Sequence, residues 1–275
     1  STATNDGIAA AQGDFIVFMD CDDMIEPNAL YEMAKKLNEN PEYDFVYSDE
    51  DKITEDGRIR HMPFFKPDWS PDLFMCMMYT NHLSCYRTSI VKQIGGLRSA
   101  YNGAQDYDFT LRFMEKSDHK RVGHIPKILY HWRERKESIA YLMSSKSYAA
   151  EAAGDAKRDW IRRNNVAAYL DYIPDMLQYR VVYQVVGEPL VSIIIPSMDN
   201  PDILEQCIDS IYKYTTYNNF EIIVVDNGSN EINRARIAAY IEEKSGVYIY
   251  GKDTFNFSRM CNMGAQRAKG EYLLF

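Results

Sequence analysis

Residues 5–18 read NDGIAAAQGDFIVF, and residues 262–275 read NMGAQRAKGEYLLF. Asn, Gly, Ala, Gly, an acid, an aromatic and a closing Phe recur in register at an offset of 257 residues (262 against 5). A repeat at this spacing implies two copies of one domain in tandem. The chain is then expected to open and close at equivalent points of those copies. Ser1 in place of Met, and Phe275 inside an apolar run, fit a piece of a longer protein.

The local patterns fill in both copies. A short helix over 8–11 ends at Gly13, and residues 14–19 read as a buried strand that runs into the acidic loop 20–23. Pro27 opens a helix to about residue 40, with Leu30, Met33, Ala34 and Leu37 on one face. Residues 45–47 form a strand, and 51–60 form a hairpin that turns at Asp56-Gly57. Thr88 caps a helix that stops at Gly95-Gly96, residues 104–116 form another, and 127–132 a strand. The stretch 144–169, rich in Ala and charge, reads as one or two linking helices, and 178–186 alternates like a strand. Beyond it, the strand 191–196 (VSIIIP), the amphipathic helix 202–214 and the strand 221–225 (EIIVV) make a βαβ unit. Such units carry ligands at the carboxyl ends of their strands. We therefore expect an α/β chain in three parts: 1–140, the linker 141–188, and 189–275.

Composition narrows the function. With 31 basic and 40 acidic residues the net charge is -9, the opposite of a nucleic-acid binder's basic face. The 46% hydrophobic content supports a sizeable core. The cysteines (Cys21, Cys76, Cys85, Cys207 and Cys261) are odd in number and lack zinc-site spacing, so reduced thiols in a cytosolic compartment are expected. Apolar runs such as 190–196 are too short to span a bilayer.

Four places carry candidate chemistry. Asp20, Asp22 and Asp23 crowd one loop after a buried strand. They read as a Mg²⁺- or Mn²⁺-diphosphate site, or as a solvated acidic turn before the Pro27 helix. Asp106, at a helix start, could serve as a general base or merely complement the helix dipole. His131 would be a metal ligand only if its strand end faces the acidic loop. Its neighbour Trp132 would stack on a sugar or base, or pack in the core. Asp226 ends the second βαβ strand, where it suits a contact to base or ribose, or simply forms the turn before Asn227-Gly228. The acidic strand end 47–51 (YSDED) faces either a cleft or solvent.

The order of these motifs resembles a family. VSIIIP, VVDNGS, N-x-G-x-x-x-A-x-G before a strand, DCDD, QDYDFTLR and YHWR together look like glycosyltransferase family 2. YSDEDKI at Tyr47, PFFKPDWSPD at Pro63 and YHWR at Tyr130 resemble its tandem-domain members of bacterial surface-polysaccharide (O-antigen and rhamnan-type) assembly. The resemblance implies a GT-A fold, a Rossmann-like nucleotide-diphospho-sugar transferase with a mixed, mostly parallel central sheet. It implies that Asp20 and Asp22 hold Mn²⁺ or Mg²⁺ and the donor diphosphate, that Asp23 extends the pair, and that His131 completes the metal shell. It makes Asp106 the catalytic base, with Gln105 in place of a commoner Glu. It places Pro196, Ser197 and Asp226 at the nucleotide.

The implied activity is inverting transfer from a nucleotide-diphospho-sugar to a saccharide or lipid-linked saccharide acceptor, without nucleic acid. The implied place is the cytoplasm, with peripheral association at the inner face of the membrane compatible with it. Two arrangements stay open: separate half-domains on either side of the linker, or residues 190–275 docked on 1–133 as one permuted sheet, and the isolated piece need not be active. A non-catalytic saccharide- or nucleotide-binding protein would tend to have lost the carboxylates. A sugar nucleotidyltransferase would show a glycine- and basic-rich phosphate loop where this chain has SMDNPD.

Overall fold

The computed structural model describes residues 1–134 and 136–275, with the backbone alone for 136–147. It divides into two compact units, Ser1–Gln184 and Val185–Phe275.

The first unit runs α1 (Thr2–Ala10), β1 (Phe15–Phe18), β2 (Met24–Ile25), α2 (Ala29–Glu39), β3 (Phe45–Ile53), β4 (Arg60–Phe64), α3 (Pro71–Cys76), β5 (Ser84–Arg87), α4 (Thr88–Gln93), α5 (Gln105–Met114), β6 (Val122–Arg133), α6 (Lys136–Arg163), β7 (Ala168–Ile173) and β8 (Gln178–Tyr183). Its main sheet has the order β1-β5-β3-β6-β2, with β4 also beside β3. Of its pairings only β3 with β6 is parallel. β3 is the spine because its first five residues are all buried. On one face of the sheet, α5 packs an aromatic cluster in which Phe45 stacks on Tyr86 at 4.5 Å. Pro71 at the first turn and the Ser70 side chain, which accepts from Leu73 N–H at 3.4 Å, start α3.

The stretch expected as a linker folds into this same unit as far as Gln184. Ala152 and Ala156 of α6 are buried in the core of α5 and β5, and β7 and β8 pair as a hairpin. Small side chains let a helix approach closely, which the Ala-rich composition signalled only as helix propensity.

The second unit runs β9 (Val191–Ser197), α7 (Pro201–Tyr214), β10 (Phe220–Asp226), α8 (Glu231–Glu243), β11 (Val247–Tyr250), α9 (Phe257–Ala265) and β12 (Tyr272–Leu274). Its sheet is parallel throughout, in the order β11-β10-β9-β12. Successive strand residues face opposite sides. Ile193, Ile222 and Val224 therefore meet α7 and α8 through Leu204, Ile208 and Ile237, while Ile194, Ile223 and Val225 meet Met260 of α9. Both faces being covered explains the near-continuous apolar runs of β9 and β10. The expected α/β class with a mixed sheet holds, and the parallel share is concentrated in this unit.

The sequence repeat is a structural repeat. α1 followed by β1 in the first unit and α9 followed by β12 in the second occupy matching stretches. Gly264, the partner of Gly7, packs so tightly that a Cβ would sit 2.4 Å from Ile194 Cγ2, whereas a Cβ on Gly7 would meet nothing within 4 Å.

Candidate active site

The acidic loop after β1 holds its three aspartates in different states. Asp20 is exposed, with its side chain at 64% of full accessibility. Asp22 is half-buried, and its backbone carbonyl accepts from Arg133 Nε at 2.6 Å. Asp23 is buried and its carboxylate is engaged inside the protein: Oδ1 accepts the Arg133 backbone N–H at 2.8 Å, and Oδ2 accepts the Tyr130 hydroxyl. The Tyr130 oxygen also accepts the Asp20 N–H at 3.3 Å, so β6 clamps both ends of the loop. Burial, with the Asp23 carboxylate next, pushes the Tyr130 phenol up.

Asp106 opens α5, where unpaired helix N–H groups favour an anion; its Oδ1 accepts the Tyr107 N–H at 2.9 Å. Its carboxyl is raised above the ordinary Asp value, first by burial and further by the Asp20 charge, against the lowering effects of the Tyr107 N–H and the His82 ring. Asp20, Asp106, Gln105 and Trp132 line one cavity of about 290 Å³. Trp132 is exposed at 48%, with Lys52 Nζ 5.6 Å from its ring centre, so it is no core residue.

His131 is placed otherwise. It is buried, paired in register with Met24, with Nδ1 2.5 Å from Asp51 Oδ1 and Nε2 3.4 Å from Glu26 Oε1. Asp51 also takes Arg60 Nε at 2.7 Å, and Asp49 takes His124 Nε2 at 2.8 Å. The YSDED run thus lies inside the sheet, its acids matched to His, Arg and Lys, instead of on a cleft or an open loop.

The sequence reading missed His82. It lines the cavity with Nε2 3.7 Å from Asp20 Oδ2, and its ring stacks on Tyr130 at 4.6 Å. Its backbone carbonyl accepts Lys66 Nζ at 2.5 Å, and its buried Nδ1 has no hydrogen-bond partner among the described residues. No spacing in the string TNHLS marks this residue; only the packing against Tyr130 brings it to the site.

Among the described residues, no three His, Cys, Asp or Glu side chains converge to hold a metal ion. Divalent cations of this kind commonly take one or two protein carboxylates and fill the remaining positions with phosphate oxygens and water. Asp20, exposed and lining the cavity, fits that limited donor set, and Asp22 lies beside it on the loop; the Asp23 carboxylate and the His131 ring are engaged inside the protein.

In the second unit, Pro196 and Ser197 lie at the carboxyl end of β9, and Ser197 is in register with Asp226 of β10. Asp226 is fully buried: Oδ1 accepts the Gly228 and Ser229 N–H groups at 3.1 and 2.9 Å, and Oδ2 accepts the Tyr248 hydroxyl at 2.5 Å. The three residues therefore meet at one sheet edge, where Asp226 builds the turn.

Comparison with known proteins bears on this arrangement. A family model described as glycosyl transferase family 2 matches residues 1–123 and 192–275. The chain is 37% identical over 273 residues to the O-antigen biosynthesis protein RfbC of Myxococcus xanthus, a match covering 99% of this chain and 21% of that protein. It is 37% identical over 276 residues to the uncharacterized protein y4gI of Sinorhizobium fredii, covering 98% of this chain and 30% of that protein. The chain thus spans less than a third of the length of these curated relatives. Among solved structures, S. aureus TarS is similar at 19% identity and a TM-score of 0.39, over 55% of this chain and 26% of that one.

Proposed function

This chain belongs to glycosyl transferase family 2, and from that premise we propose that its first unit carries the catalytic centre of an inverting glycosyltransferase. The observation that supports the reading is that Asp20, Asp106 and Trp132 line one cavity. The donor is a nucleotide-diphospho-sugar, with its diphosphate at Asp20 and Asp22. A bound Mn²⁺ or Mg²⁺ would supply charge neutralisation for the departing diphosphate. Asp23 holds the loop through Tyr130 and Arg133, and His131 anchors β6 through Asp51 and Glu26.

Asp106 accepts the proton of an acceptor hydroxyl as that oxygen bonds to the anomeric carbon. The bond from that carbon to the diphosphate breaks, and the nucleoside diphosphate leaves with the electron pair. A carboxylate whose pKa is raised above its usual range is a stronger base for this step. Trp132 offers a face to the sugar or base. His82 positions Asp20 and lends its ring to the same cavity.

The second unit is read as the nucleotide-binding part of a following domain, with Pro196, Ser197 and Asp226 at its ligand edge. On this reading 1–184, including most of the stretch expected as a linker, is the metal and acceptor part of one domain, and 189–275 is the start of the next. The acceptor is a saccharide or lipid-linked saccharide of cell-surface polysaccharide synthesis, met in the cytoplasm or at the inner membrane face. No helix among the described residues is long and apolar enough to cross a membrane.

Titration with UDP, GDP and dTDP, each with and without Mn²⁺, tests the donor half. Binding of at least one, strengthened by Mn²⁺ and weakened by Asp20→Asn, is expected. If none binds under either condition, the reading fails for this chain.

A further inference from the structure

Lys66 lies inside the PFFKPDWSPD run at Pro63, just beyond β4, and its side chain is wholly shielded from solvent. A lysine is almost never buried so completely unless it is paired. Its Nζ lies 2.9 Å from Glu50 Oε2 on β3, 3.4 Å from the Thr80 carbonyl and 2.5 Å from the His82 carbonyl. An ammonium has three N–H donors and no acceptor, so these contacts use all of them. Burial pushes the amine down, and the Glu50 carboxylate works against that shift. The backbone is pinned as well, because the Lys66 N–H donates to Asp49 Oδ1 at 2.9 Å. The two carbonyls flank Asn81. The Thr80 carbonyl also accepts the Ser84 hydroxyl at 2.9 Å, whereas the His82 carbonyl has Lys66 as its donor.

We infer that Lys66 is a positioning residue for the transfer, because its grip on the Thr80–His82 turn sets where the His82 ring stands at the cavity. The inference rests on the reading of that cavity as the catalytic centre. Lys66 lies outside the described lining of the cavity, while Asn81 and His82 are part of it. His82 has few other holds. Its Nε2 meets Asn81 Nδ2 at 3.1 Å and Asp20 Oδ2 at 3.7 Å, its buried Nδ1 has no hydrogen-bond partner among the described residues, and its ring stacks on Tyr130. The backbone that Lys66 grips therefore carries much of the task of placing the ring. A Glu50–Lys66 pair that served the fold alone would leave two donors free to meet any carbonyl. Here both go to the one turn that presents side chains to Asp20. Movement of the ring would change the surroundings of Asp20 and the field at Asp106, whose carboxyl His82 lowers.

The test uses the whole chain. Lys66→Met leaves the Glu50 carboxylate without its partner and should lower the denaturation midpoint. Adding Glu50→Gln removes both charges and should restore most of that stability. In this paired variant the NMR signals of the His82 ring, identified by their absence from His82→Gln, should leave the positions that stacking on Tyr130 gives them. Mn²⁺-dependent binding of UDP, GDP or dTDP should weaken roughly tenfold, as for residues that orient a metal's ligands. In a His82→Gln background the same pair should weaken it no further. Lys66→Gln, which keeps a hydrogen-bonding group but not the reach of the ammonium, carries the test if the paired variant does not fold. The inference is overturned if the folded variant keeps native His82 signals, if nucleotide binding returns with stability, or if its loss adds to that of His82→Gln. Failure of the donor reading is distinct: the native chain then binds no nucleotide with or without Mn²⁺, and the ring signals still report on Lys66.

Discussion

The Tyr130 hydroxyl donates to the Asp23 carboxylate across 107 residues of sequence, and the same oxygen accepts the Asp20 N–H. One side chain on β6 thereby fixes the acidic loop at two points, and it uses up one of the three aspartates in doing so. Tyr130→Phe leaves a buried carboxylate oxygen short of a donor. It should cost about 1–3 kcal/mol, read as a lower denaturation midpoint. Asp20→Asn should leave thermal stability unchanged and abolish the Mn²⁺ enhancement of nucleotide binding. If Asp23→Asn and Asp20→Asn behave alike in both assays, the division of roles within the loop is wrong.

Asp106 should trade stability for activity. Its folded pKa lies above the unfolded value, because burial disfavours the carboxylate. Between the two values the folded state binds more protons than the unfolded one, so stability falls as pH rises through that window. The penalty sets in above the unfolded pKa and is complete above the folded one. Asp106→Asn should therefore raise the melting temperature at pH 7 while cutting transfer in the full-length protein by roughly 10²–10⁴-fold. The acid limb of the native rate profile should fall at a higher pH than an ordinary Asp would give. A variant that retains transfer would remove Asp106 from the mechanism.

His131→Ala is expected to act on the fold. The ring contacts Asp51 at 2.5 Å and Glu26 at 3.4 Å. Its loss should cost about 1.5–3 kcal/mol, the range for hydrogen bonds to charged groups. Chemical denaturation and Mn²⁺ titration of the same variant separate the alternatives. A fall in Mn²⁺ affinity at unchanged stability would mark His131 as a ligand after all.

The paired glycines of the repeat should respond in opposite ways. Gly264→Ala drives a methyl into Ile194 on β9 and should destabilise the second unit by about 1–3 kcal/mol. Gly7→Ala meets open space on α1. Replacing a helical Gly there should be neutral, or stabilising by up to about 1 kcal/mol. Hydrogen exchange resolved by unit, or melting followed by a probe in each unit, would show equal effects if the packing difference is unimportant.

Much of the site was legible because its signals are local. An apolar run ending in acids marked Asp20, and a carboxylate at a helix start marked Asp106. Trp132 followed from its strand end, although stacking and burial could not be told apart there. His82 was not legible, since a single His in a loop carries no period and no spacing. The stretch 141–188 read as a connection because Ala-rich helices look alike whether they bridge or pack. Only the contacts of Ala152 and Ala156 with the core of the first unit separate the two cases.

The sequence by itself determined which strands are buried on both faces, where they end, that acids follow them, and that one helix–strand piece occurs twice. These properties depend on residues within a few positions of one another, through side-chain period and turn chemistry. Only the tertiary structure decided which carboxylates remain at the cavity and which are consumed. Asp23 is satisfied by a backbone N–H 110 residues away, and His131 by an aspartate 80 residues away. A carboxylate's chemistry depends on its neighbours in space, and pairings at such separations leave no periodic trace in a single chain.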